Sequence, residues 1–163
     1  MAKKSKKEFV LNKYYPYIVF AVALACVGMM FLPGVEIMLG DKSVASPMGW
    51  QVAFGYTVEA AAGSSLKGEV MSFSFMALLA IILPVAGGVV PLLLKGKLGA
   101  LVSVGCFAVG AVFAFMMVVF VMQTTALELF LLLGKLNLGI GSILLGAFSI
   151  VGAGLGAVKI LVK

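Results

Sequence analysis

Seven side chains in the apolar part of this sequence carry atoms able to act as nucleophiles or metal ligands: Ser72, Ser74, Ser103, Ser142, Ser149, Cys26 and Cys106. A serine attacks only when a neighbouring base takes its proton, and a cysteine only as thiolate. The 163 residues contain no His and no Arg. The apolar stretches hold no Asp, Glu, Lys, Asn or Gln short of Lys159. The serines therefore read as hydroxyls bonded back to helix carbonyls, and the cysteines as small apolar residues at helix contacts. No CxxC pair serves redox or zinc chemistry. The acids Glu36, Asp41, Glu59 and Glu69 fall in connecting segments, where a solvated surface accounts for them. No catalytic, cofactor-binding or metal-ligating residue is assigned, and no cofactor is expected.

The elements that must carry these residues follow from composition. Apolar residues make up 63% of the chain and charged residues 11%, and mean hydropathy is +1.22. This exceeds what one water-soluble core can hide, and it excludes a soluble enzyme, a nucleic-acid binder and a disordered chain. A membrane-spanning helix needs about 20 apolar residues. Four stretches qualify, at 14–32, 71–94, 98–122 and 138–161, so the expected fold is an all-α membrane protein, a four-transmembrane-helix bundle. Residues 1–13 form a basic N-terminus, 33–70 and 123–137 two connections on one side, and 95–97 a short turn on the other.

Lysine positions orient the bundle. With both termini and the 95–97 turn in the cytoplasm, that side holds nine Lys and one acid, Glu8. The other holds Lys42, Lys67 and Lys135 against Glu36, Asp41, Glu59, Glu69 and Glu128. Lysine excess marks the cytoplasmic side, so the expected location is the plasma membrane, multi-pass, with N- and C-termini inside. Tyr14, Tyr15 and Tyr17 fall at the inner headgroup level. In this topology Cys26 lies toward the outer half and Cys106 toward the inner half, too far apart in depth for a disulfide. A basic stretch, an apolar run and Ala23-Leu24-Ala25-Cys26 resemble a secretory or lipoprotein signal. Ala23 stands where a larger aliphatic residue is usual, and the segment reads as an uncleaved signal anchor.

Helices in lipid associate by close packing of small residues. The expected stripes are Ala21, Ala25 and Gly28 in the first span; Ser74, Ala77, Ala80, Pro84, Gly87 and Pro91 in the second; and Gly99, Ser103, Cys106, Gly110 and Ala114 in the third. The fourth carries Gly139, Ser142, Gly146, Ser149, Gly152 and Gly156, facing either the chain's own helices or a second copy. Pro84 and Pro91 should kink the second span.

In the 33–70 connection, Val35, Ile37 and Leu39 alternate with Glu36 and Met38. Trp50, Val52, Phe54, Tyr56 and Val58 alternate with Gln51, Ala53, Gly55, Thr57 and Glu59. Period-two alternation predicts strands, with turns at Asp41-Lys42-Ser43 and Ser46-Pro47, giving a small extracellular β-hairpin or sheet. Residues 60–68 are expected to return as a short helix or flexible segment. For 123–137 three readings stay open: an extension of the third helix, an interfacial segment, or a strand joining the first loop's sheet. Gly134-Lys135-Leu136-Asn137 is the expected turn into the fourth span.

This layout, with a basic N-terminus, four spans, a larger first outer loop bearing strands and Met48-Gly49-Trp50, and a tiny inner turn, resembles the claudin-type tetraspan arrangement. That family's loop carries Gly-Leu-Trp and a cysteine pair; here the Gly and the Trp match and the loop has no Cys. The resemblance implies lateral assembly through the outer sheet and no catalysis.

Small four-helix multidrug transporters and quinone-linked thiol oxidases are disfavoured, the first for want of a buried acid, the second for want of cysteine pairs. The function expected is a non-catalytic structural or interaction protein, embedded in the bilayer and binding a second copy or another membrane subunit, with no nucleic-acid partner. Its candidate contact residues are Trp50, Val52, Phe54 and Tyr56 in the loop and Gly146, Gly152 and Gly156 in the fourth span. The alternatives are an oligomeric channel or carrier subunit and a subunit of an envelope enzyme. Lysine-only basicity and short tails point to a bacterial source.

Overall fold

The computed structural model describes residues 2–39, 41–59, 67–94, 96–124 and 135–161. It is mostly helical. Helix α1 (Ala2–Met29) is followed by strands β1 (Val35–Leu39) and β2 (Lys42–Ala45), the short helix α2 (Gly49–Phe54), and strands β3 (Tyr56–Glu59) and β4 (Lys67–Met71). Then come α3 (Phe75–Leu93), α4 (Lys97–Phe115), α5 (Met117–Thr124), strand β5 (Lys135–Leu138) and α6 (Ile140–Leu161). Helices α3, α4 and α6 are each long and apolar enough to cross a bilayer, which marks the chain as a membrane protein; the apolar part of α1, Lys13–Met29, is shorter.

The four long helices pack side by side in the order α1, α3, α4, α6, and α6 closes back on α1. In α3, α4 and α6 the packing is largely inverted relative to a protein in water. The buried positions of α3 and α4 include Ala77, Ala80, Gly87, Ala100, Gly110 and Ala114. The outward positions are large and aliphatic, among them Leu93, Leu98, Leu101, Ile150 and Val151. A bundle with small residues inside and large ones outside lets backbones approach closely in a solvent as apolar as its own side chains.

Local chemistry sets the element ends. Ser74 caps α3, its hydroxyl accepting from the Ala77 amide at 3.3 Å. Gly96, at φ +91°, turns the chain from α3 into α4. The third predicted span divides at Met116 into α4 and α5. The Met116 amide still reaches the Val112 carbonyl at 3.0 Å and the Phe120 amide the Met116 carbonyl at 3.2 Å, so the ladder crosses the break. The spans predicted to begin at Met71 and Leu138 begin as helices at Phe75 and Ile140, because Met71 ends β4 and Leu138 ends β5.

At the end of the bundle away from the chain termini, β1 is the centre of an antiparallel sheet ordered β2-β1-β5. Glu36 lies opposite Asn137, and Ile37 opposite Leu136. Val35 and Ile37 turn into the core. Residues 135–137, expected as a turn, are thus a strand that joins the first loop's sheet. The apolar run at 127–133 and the return at 60–66 lie outside the described residues; Lys67 and Gly68 belong to β4.

A second correction concerns the strand expected at Trp50–Glu59. Residues 49–54 are helical, and only Tyr56–Glu59 is extended, paired with β4 as a separate two-stranded ribbon. The alternation rule treated Ala53 as a solvent-side residue. Gly49, Val52 and Ala53 are all buried, at the i, i+3, i+4 spacing of a helix face. The Met48 amide donates to Gln51 Oε1 at 2.9 Å, one half of a capping box. Gly55, at φ +106°, ends the turn.

Candidate functional site

The centre of the bundle is a ring. Phe107 of α4 is fully buried, and its opposite edges rest in notches made by glycines of two other helices. A Cβ at Gly87 of α3 would stand 2.9 Å from Phe107 Cδ2, and one at Gly152 of α6 2.7 Å from Cδ1. Neither position tolerates a side chain without displacement. Above and below this layer the same pairing of α6 with α4 recurs. A Cβ at Gly146 would lie 2.6 Å from Phe115 Cζ, and one at Gly156 would collide with Val104. The predicted stripe Gly146, Gly152 and Gly156 is therefore buried against α4 of the same chain.

The stripes expected in the second and fourth spans are buried throughout; Gly139 abuts the Pro33 carbonyl. In α4 the buried line passes through Phe107 where Cys106 was expected; Cys106 is half-buried. In α1 the phase differs. Ala21 and Gly28 are exposed, and Tyr15, Val19, Ala23 and Cys26 face inward.

Each buried serine has a structural bond. Ser103 Oγ donates to the Gly87 carbonyl of α3 at 2.6 Å, and Ser142 Oγ to the Gly34 carbonyl at 2.6 Å. Ser149 Oγ donates to the Leu145 carbonyl one turn earlier, at 2.7 Å, and lies 3.9 Å from Cys26 Sγ. Two of these hydroxyls thus cross to another segment, where bonding within their own helix was expected. Ser72 is exposed. Cys26 and Cys106 are free thiols. Among the described residues no three His, Cys, Asp or Glu side chains gather as a metal site.

At the sheet end, backbone segments meet edge to edge. The Gly139 amide and the Ser142 hydroxyl both donate to the Gly34 carbonyl, and the Gly141 amide donates to that of Pro33. A Cβ at Gly34 would stand 2.9 Å from Gly49 Cα. Helix α2 is tied on both sides. The Gly49 and Trp50 amides donate to the carbonyls of Leu32 and Met30 at the end of α1, and the Ser74 amide at the head of α3 donates to Ala53. So fixed, α2 sends Val52 inward, 1% exposed, and Trp50 and Phe54 outward, 39% and 59% exposed. Phe54 meets Phe73 with ring centres 6.4 Å apart. Phe31 and Phe75, beside the segments that tie α2, are exposed as well; we refer to these exposed aromatic residues together as the aromatic collar. Tyr56 is half-buried against the core. Of the four predicted loop contacts, then, Trp50 and Phe54 share an outward face, while Val52 and Tyr56 support it from within.

No protein-family model matches the chain, and no curated protein matches it.

Phe31, Phe73, Phe75 and Phe107 were not singled out from the sequence. For Phe107 a signal existed. Positions 100, 103, 107, 110 and 114 keep the alternating three- and four-residue spacing of a packed helix face, and 107 is the one large residue in that series.

Proposed function

We propose that all four long helices span a plasma membrane, that both termini and the Gly96 turn are cytoplasmic, and that the sheet and the collar lie at the outer surface. The lysine asymmetry supports this orientation, and the exposed Trp50 accords with a membrane–water interface at this end of the bundle, since Trp is enriched at both interfaces. In this topology the chain is a non-catalytic membrane scaffold that assembles with a second copy or another membrane subunit through the collar and the outer sheet. The claudin-type layout is a likeness in architecture that accords with this role.

The observation that carries the reading is the Phe107 ring set between Gly87 and Gly152. It fills the bundle axis and uses the glycine stripe inside the chain. What is left for recognition is the outer rim, where Trp50 and Phe54 stand out of a backbone fixed on both sides. Rigid, outward aromatic residues are the usual energetic centres of protein contacts. The experiment is extraction in a mild detergent, followed by measurement of particle mass. A particle heavier than one 16.9 kDa chain plus its detergent is the expected result. A lone monomer with no co-purifying protein contradicts the reading.

A further inference from the structure

At the end of the bundle that carries the termini, a cleft of about 360 Å³ opens between α1, α3 and α6, bounded among others by Lys13, Tyr15, Pro91, Leu92, Gly96 and Lys159. Two ammonium groups from different helices contribute to its wall. Lys13 Nζ lies 5.7 Å from the centre of the Tyr14 ring, and Lys159 Nζ 5.7 Å from that of Tyr15. The Tyr15 ring, itself part of the wall, thereby holds Lys159 at the cleft, since a cation is attracted to an aromatic face. Gly96 leads into the N-terminus of the 19-residue α4, which adds a positive dipole end on the same side. The other wall is apolar. Leu92, Leu93 and Leu94 are exposed and run from the cleft onto the flank of the bundle, Leu93 at 76%.

A cationic wall and an apolar edge meet here at the level where the apolar helices end. That combination matches a molecule with a negatively charged head and a hydrocarbon tail. Inorganic phosphate would engage the ammonium groups and leave the leucine edge uncovered. We propose that this cleft binds the headgroup of an anionic phospholipid, with Lys13 and Lys159 on the phosphate and the Leu92–Leu94 edge along an acyl chain. The assignment rests on the reading that these helices span the bilayer. Resistance of the protein to alkaline carbonate extraction reports on that reading separately.

The test uses delipidated full-length protein in a neutral detergent, with bound lipid counted by native mass spectrometry. The probes are phosphatidylglycerol, phosphatidylcholine of the same acyl chains, and inorganic phosphate. A lysine near a phosphate plane contributes about 1 kcal/mol, or about fivefold in affinity. Lys13→Gln should therefore weaken phosphatidylglycerol binding about fivefold, and Lys13→Gln with Lys159→Gln roughly 25-fold. Lys13→Arg with Lys159→Arg should retain binding. Lys42→Gln with Lys135→Gln, at the opposite end, should leave it unchanged. Lys13 is exposed, so its single variant tests the cleft without disturbing the fold. Equal binding of the two lipids overturns the proposal, as does undiminished binding in the glutamine variants. Saturation of the site by inorganic phosphate alone, with the same lysine dependence, overturns the lipid assignment.

Discussion

Ser103 supplies the hydrogen bond that Pro91 takes away. A proline has no amide proton, so the carbonyl four residues before it, here Gly87, loses its helical donor. Ser103 Oγ reaches that carbonyl from the neighbouring helix at 2.6 Å. In hydrocarbon no water can fill such a vacancy, and a side-chain hydroxyl is one of the few remedies. Ser103→Ala should lower stability in detergent by about 1–2 kcal/mol, since it orphans a buried carbonyl and does not merely remove one bond. In the Pro91→Ala background the same change should cost about 1 kcal/mol less, because the residue-91 amide then serves Gly87. Thermal unfolding of the four proteins of this double-mutant cycle measures the difference. Equal costs in both backgrounds would contradict the pairing.

Two glycines of α6 only two residues apart should respond oppositely to one added methyl. At Gly152 a Cβ would stand 2.7 Å from Phe107, whereas at Gly154 nothing lies within 4 Å. Gly152→Ala should destabilise by about 1–3 kcal/mol through overpacking. Gly154→Ala should stabilise by about 0.5–1 kcal/mol through helix propensity. Phe107→Leu should relieve much of the Gly152→Ala cost. Melting temperatures of the three variants and the combination check this.

The register of the three-stranded sheet predicts a crosslink. Glu36 and Asn137 are paired across β1 and β5, so Glu36→Cys with Asn137→Cys should form a disulfide under mild oxidation. Glu36→Cys with Leu138→Cys should not, because neighbouring residues on a strand point to opposite faces. A mass shift of two hydrogens per chain, present only in the first pair, is the expected outcome.

Orientation is open to a direct check in cells. A fluorescent protein fused to either terminus should fluoresce in the cytoplasm, and alkaline phosphatase at the same positions should be inactive. Inserted after Asp41, in the turn between β1 and β2, phosphatase should be active. The reverse pattern would invert the assignment of the Lys13–Lys159 cleft to the inner leaflet.

The sequence revealed the helices more readily than their facing. In α3 and α6 the small residues recur so regularly that the buried line could be read from Ser74 to Pro91 and from Gly139 to Gly156. In the apolar part of α1 every face is apolar and the inward residues include Tyr15 and Val19, which are large, so residue size gave no phase and Ala21 and Gly28 were placed inside when they lie outside. Strand β1 was legible because Glu36 and Met38 interrupt Val35, Ile37 and Leu39. Helix α2 was not, because six residues satisfy a period of two nearly as well as one of 3.6. What holds it helical is the tie of Gly49 and Trp50 to the end of α1, a tertiary contact. Strand β5 likewise exists only by pairing with β1, some hundred residues earlier. At the candidate site, Trp50 and Phe54 were legible as candidate contacts, but the same alternation put Val52 on their face, and Val52 is buried. The role of Phe107 was not legible, because only the three-dimensional meeting of Gly87 and Gly152 gives its ring a place.

The central claim is that the interior is closed around Phe107 and that recognition is by the aromatic collar. Photo-crosslinking in native membranes tests it most directly. A benzophenone amino acid is placed at Trp50 or Phe54, and at Ile150 as a control on the flank of α6, 56% exposed. Discrete protein adducts from positions 50 and 54, with lipid adducts alone from position 150, are the result predicted. Lipid adducts alone from all three positions would contradict it.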